Sequence, residues 1–226
     1  EGARGAQAVG ELDEGQPVHA PRLEGGLGRP RRRRGETFPR REEAVERRAR
    51  EEGDSKFLEV QTRVQALIVD GEAVQEATSG KVEVVLNPTP FYGESGGQIG
   101  DDGIILTETG AKIKIETAQK PVDQFIVCHG YVVEGAFNVG DQVWAGYETQ
   151  TRQKVRAHHS ATHLLHASLR KVLGDHVKQA GSLVQAQRLR FDYSHFEALT
   201  DENIRIIEAD SNDRVLAASD IVTEVL

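Results

Sequence analysis

Hydrophobic and polar positions change rhythm twice along this chain of 226 residues, and the changes mark its organisation. From Leu58 to Tyr147 apolar residues fall in short runs rich in branched side chains: VQALIV, VEVVL, GIILT, AKIKIE, QFIVCHGYVV and QVWAGY. Asp70-Gly71, Asp102-Gly103 and Thr109-Gly110 supply breaks between them. Runs of this kind, each with one face to bury and an edge to hide, predict a small closed or nearly closed β-barrel over residues 58–149. After Tyr147 the period becomes helical. In TRQKVRAHHSATHLLHASLRKVL a 100° rotation per residue gathers Val155, Ala161, Leu165, Leu169, Val172 and Leu173 on one face, and Gly174 stops the helix. A strand pair follows, GSLVQA and RLRFDYS. Thr200 then caps a second helix from about Asp201 to Ala217, whose apolar period Asp210-Ser211-Asn212-Asp213 interrupts, and the tail IVTEVL reads as one more strand. The predicted class is α+β, a β-barrel followed by a second, α+β module over residues 150–226.

Ahead of the barrel neither rhythm is present. Residues 42–57, EEAVERRAREEGDSKF, favour a short charged helix with Gly53 as its stop signal. Residues 1–41 match no domain; the first 35 hold eight glycines and no serine, without apolar period, and predict a disordered segment. Charge follows the same division. The chain sums to -8, yet residues 29–50 carry ten arginines against four glutamates, a block that is either solvated or able to neutralise phosphates. No apolar run approaches a membrane span and no short apolar run sits behind a basic start as in a signal peptide, so the expected location is cytoplasmic, with an organellar one left open. The single cysteine, Cys128, excludes an internal disulfide and reads as a buried strand residue. Methionine is absent even at position 1, which leads us to expect a fragment or an imperfect gene model.

Chemistry concentrates in HHSATHLLH. His159 and His163 lie four apart on the predicted helix and project from one side, as two ligands of a tetrahedral zinc would, the alternative being a chance pair on a helix edge. His166 lies close to that side, whereas His158 falls at the centre of the apolar face and reads as packed or partner-bound. Ser160 stands where a zincin protease needs its glutamate, so that chemistry is excluded. The second stretch is TPFYGESGGQIGDDG, residues 89–103. Its glycines allow close backbone approaches between Tyr92, Glu94, Ser95 and Gln98, either against a ligand or as a plain connection between strands. It lacks the features of a P-loop or a dinucleotide fingerprint.

TPFYGESGGQIGDDG, HHSATHLLHASLRKVLGDHVKQAGSLV and RLRFDYSHFEALT, in this order and spacing, resemble alanyl-tRNA synthetase from about Glu42 to Leu226. The resemblance implies a barrel like those of translation factors and the first part of an editing domain shared with threonyl-tRNA synthetase and free-standing editing proteins. It also implies hydrolysis of seryl- or glycyl-tRNA(Ala), with zinc at His159 and His163 either activating water or positioning the substrate. Gln179 would lie near the scissile ester as the catalytic residue, and Ser95, Gly96, Gly97 and Gln98 would line the pocket or the tRNA end. The family completes its zinc site with a Cys-x-x-x-His pair beyond the reach of this chain, so an incomplete site and an inactive chain are expected. ATP would belong to a ligase domain whose motifs are missing here. The expected partner is tRNA(Ala), with no membrane and no obligate protein partner. A truncated free-standing editing hydrolase and a tRNA-binding or inert remnant are the competing readings.

Overall fold

The computed structural model describes residues 47–53, 55–122 and 125–219. The segment expected to be disordered, the start of the expected charged helix and the IVTEVL tail lie outside these residues. The strands are β1 (Arg47–Glu52), β2 (Ser55–Val69), β3 (Glu72–Val74), β4 (Glu76–Ala77), β5 (Gly80–Leu86), β6 (Gly103–Leu106), β7 (Lys112–Val122), β8 (Phe125–Glu134), β9 (Phe137–Asn138), β10 (Gln142–Glu148), β11 (Gln179–Val184) and β12 (Leu189–Tyr193). Two helices, α1 (Thr149–Leu173) and α2 (Asp201–Ala217), complete the fold.

The expected barrel is present. Strands β2, β10, β6, β7, β8 and β5 pair antiparallel in that order, and β5 pairs back onto β2. Closure is possible because β2 is long enough to serve two neighbours: Phe57–Arg63 take β10 on one edge, and Val64–Ile68 take β5 on the other. Alternation sends Val82, Val84 and Leu86 of β5 and Ile113 and Ile115 of β7 inward. A register shift between Ile115 and Thr117 moves the next inward residue to Ala118. Cys128 is fully enclosed in this core, and burial pushes its thiol up to about 12, so it packs as a small hydrophobe.

The charged helix expected over 42–57 is corrected where it can be seen: residues 47–52 form β1, a hairpin partner of β2 turned at Gly53. The pairing places Arg48 over the Trp144 ring, 4.0 Å from its centroid, with Nε donating to Glu59 Oε2 at 2.5 Å. Glu59 is wholly buried, and a buried carboxylate needs such a cation. Helix propensity is a weak preference beside a strand ladder, a cation-π contact and an ion pair. These side chains close over a second cluster outside the barrel, formed by Phe57, Ile104, Leu106 and Trp144.

Helix α1 follows β10 without a linker. Glu148 ends β10, and its carboxylate caps α1 by accepting from the amides of Gln150 and Thr151. The other end of α1 packs Leu165, Leu169, Val172 and Leu173 against Phe191 and Tyr193 of β12, Ile207 of α2, and Val177 and Leu199 of the connecting segments. The expected strand pair and second helix, with Thr200 as its N-cap, are thereby in place. Among the described residues no helix is long and apolar enough to cross a membrane.

Candidate functional site

Ser95-Gly96-Gly97-Gln98 is a two-residue hairpin turn. Ser95 and Gln98 exchange both backbone hydrogen bonds, and Gly96 and Gly97 take φ of 59° and 81°, the pair of positive angles that a type I′ turn demands. The tip leans on the second module: Val184 N donates to Gly97 O at 2.8 Å and Ile99 N donates to Val184 O at 3.2 Å. A Cβ on Gly97 would stand 2.6 Å from Ser182 O, so only glycine permits this approach. The barrel loop thereby pairs with β11.

That docking buries Gln98 to 5% exposure and delivers its side chain to α1, where His159 Nδ1 donates to Gln98 Oε1 at 2.6 Å. With Nδ1 carrying the proton, His159 Nε2 keeps its lone pair. Burial, and then the neighbouring His163, hold the His159 pKa below its ordinary value and favour the neutral ring. His163, one turn on and exposed, stacks on His159 with centroids 5.1 Å apart. Two imidazoles on one helix side, that of His159 held toward its neutral form, offer the donor set of a helical His-x-x-x-His zinc pair. Among the described residues no group of three or more His, Cys, Asp or Glu gathers, so the pair fits half of a tetrahedral site.

The other two histidines of α1 bond to backbone carbonyls. His158 Nδ1 donates to Gln185 O at 2.6 Å, in keeping with the packed, partnered residue expected from the helical wheel. His166 Nε2 donates to Val177 O at 3.4 Å beside the Phe191 ring. Of the anticipated lining residues, Gln98 is engaged by His159, Ser95 is exposed with its carbonyl bonded to Tyr92 Oη, and Gly96 meets open space. Gln179 begins β11 opposite Tyr193, exposed, whereas the loop docks at the other end of that strand.

An open cleft of about 450 Å³ adjoins His159, lined by Gln98, Gln153, Arg156, Ala157 and Ser160. The four α1 residues other than His159 follow the i, i+3, i+4, i+7 spacing of one helix face, a pattern that sequence reading fixed on the histidines left unused. Arg152, also missed, clamps α1 to the barrel. Its Nε donates to Asp101 Oδ1 at 2.7 Å, Nη2 donates to Asp101 Oδ2 and to Pro90 O, and the guanidinium covers the Tyr147 ring at 3.8 Å.

Comparison with known proteins sets this geometry in a family. A family model described as tRNA synthetases class II (A) matches residues 30–151, more than half of the chain. An alanine–tRNA ligase of Magnetococcus marinus is 47% identical over 171 residues, covering 73% of this chain and 20% of that protein. One from Rhizobium johnstonii is 46% identical over 180 residues (77% and 20%), and one from Myxococcus xanthus is 50% identical over 147 residues (64% and 16%). The chain spans about a fifth of the length of the curated relatives it matches. A closed barrel delivering a glycine-turn glutamine to a helical histidine pair is thus the local structure of a chain that belongs to the alanyl-tRNA synthetase family, within the class II (A) tRNA synthetases.

Proposed function

We propose that these residues form the proofreading part of an alanine-tRNA ligase, where the ester of seryl- or glycyl-tRNA(Ala) is hydrolysed. The observation that carries this reading is the Gln98–His159 hydrogen bond beside His163 at the rim of an open cleft. A helix offering two imidazoles from one side suits a metal-assisted hydrolysis, and zinc is the ion of this donor set. When bound at His159 and His163, zinc would supply Lewis acidity to the scissile ester. Gln98 orients His159 and fixes which nitrogen is free, while His163 remains accessible to an incoming group. The barrel, in the manner of a translation-factor barrel, holds the loop that does this. Gln179 would serve a substrate approaching along β11. Aminoacylation of tRNA(Ala) belongs to the whole ligase, in the cytoplasm, and ATP to its class II domain.

The chain itself should bind zinc weakly, since water must fill the remaining positions, and binding should fade at acid pH, where His159, whose pKa lies below the ordinary imidazole value, takes up its proton. Titration calorimetry should show this binding lost in His163→Ala and kept in His158→Ala. Joined to the segment that follows in a relative, the chain should deacylate seryl-tRNA(Ala), and His163→Ala should abolish that activity. A zinc-replete, active His163→Ala protein would refute the assignment.

A further inference from the structure

We propose that the cleft beside His159 is an anion site, with Arg156 as its charge and a phosphodiester group of an RNA strand as its ligand. The proposal rests on the reading of the histidine pair as the place where an aminoacylated RNA end is handled, and it adds what holds the strand there.

Charge along α1 carries the argument. In a chain of net charge -8 this helix of 25 residues holds Arg152, Lys154, Arg156, Arg170 and Lys171 and not one carboxylate. Three of the five cations are engaged internally: Arg152 by Asp101, Arg170 by Asp175 and Lys171 by Asp210. Among the described residues Arg156 has no carboxylate partner, and it is the cation that lines the cleft. Gln153 and Ser160 flank it one turn to either side on the same face, so amide and hydroxyl donors converge with the guanidinium on one space. A guanidinium with neutral donors and no competing carboxylate suits a phosphate oxygen pair, which it can meet with two parallel hydrogen bonds. The cleft, at about 450 Å³, is open, as a strand passing through requires and a buried small-molecule pocket does not. His159 shares its lining, so a phosphodiester seated on Arg156 would hold the following nucleotide against the histidine pair.

The test uses the full chain and an uncharged RNA hairpin with an acceptor stem and single-stranded 3′ end, titrated at several salt concentrations. Arg156 is exposed, so Arg156→Gln should fold as the parent does. We expect Arg156→Gln to weaken binding about five- to tenfold and to reduce the slope of log affinity against log salt by about 0.7–0.9, the loss of one phosphate contact. Arg156→Lys should keep the slope, and Arg205→Gln on α2, which removes a distant charge, should leave both quantities close to the parent's. Unchanged affinity and slope in Arg156→Gln would overturn the proposal. So would inorganic phosphate saturating the Arg156 side-chain NMR signal while RNA binding ignores the substitution, because the cleft would then take free anions only. Since binding is read on uncharged RNA, RNA bound through Arg156 by a protein that fails to deacylate seryl-tRNA(Ala) even when joined to the segment that follows counts against the proofreading function and leaves this site standing.

Discussion

At the scale of single residues the two glycines of the loop tip have different duties, and substitution separates them. Gly96 needs only its positive φ, with nothing within 4 Å of an added Cβ, and asparagine tolerates that conformation. Gly97 needs its φ and the empty space against Ser182. We therefore expect Gly96→Asn to change stability by no more than about 1 kcal/mol, whereas Gly97→Ala should cost about 1–3 kcal/mol. Chemical denaturation measures both. Gly97→Ala should also free the His159 ring, seen by NMR as a mixture of its two tautomers, and a tautomer fixed as in the parent would contradict the docking described. The glycine cluster was legible as a place of close approach, and so was the histidine pair, because both are local patterns. The Gln98–His159 contact was not, because it joins positions 61 apart in different modules. A lone glutamine carries no periodic signal.

Among the elements, α2 shows how a polar interruption can be an anchor. Asp210 breaks the apolar period of that helix, yet its carboxylate accepts from Ser168 Oγ at 2.6 Å and Lys171 Nζ at 2.5 Å on α1, and from Arg214 Nε at 2.7 Å on its own helix. These hydrogen bonds, the one from Lys171 foremost, hold its pKa well below the ordinary 3.8. The folded state then binds its proton less readily than the unfolded chain does. Its contribution is complete above the ordinary value and is lost as pH falls toward the depressed one. We expect Asp210→Asn to lower the melting temperature at neutral pH, and its gap from the parent to narrow as pH falls below about 4. A constant gap down to strong acid would contradict this role. Strands and helices with alternating or 3.6-residue apolar patterns were readable in advance, β5 and α1 above all. The strand at 47–52 was not, because its stabilisation comes from Glu59 and Trp144, which only the folded hairpin brings to Arg48.

For the whole molecule, the Arg152 fork decides whether barrel and helices melt as one body. Asp101 is 8% exposed, and without Arg152 it would keep a buried charge facing a lost partner. Truncation to alanine should cost about 2–3 kcal/mol, less than a fully buried pair because Arg152 retains some solvent contact. Lysine should recover part of this, since it restores the charge without the two-pronged geometry. Trp144, the only tryptophan, reports on the barrel, and far-ultraviolet circular dichroism reports mainly on the helices. The two signals should coincide during unfolding of the parent and separate in Arg152→Ala; coincidence in the variant would show that the clamp is dispensable.

Glu148 is at once the last rung of a barrel strand and the cap of the helix that bears the histidines. Between them there is no residue left over to act as a hinge. The junction itself therefore sets the angle between barrel and helix, and whatever enters the cleft meets walls held by both, Gln98 from the barrel loop and the α1 face opposite it. On the proposed function the adjusting part is the RNA terminus, since the helix that carries the histidines is fixed to the barrel at Glu148.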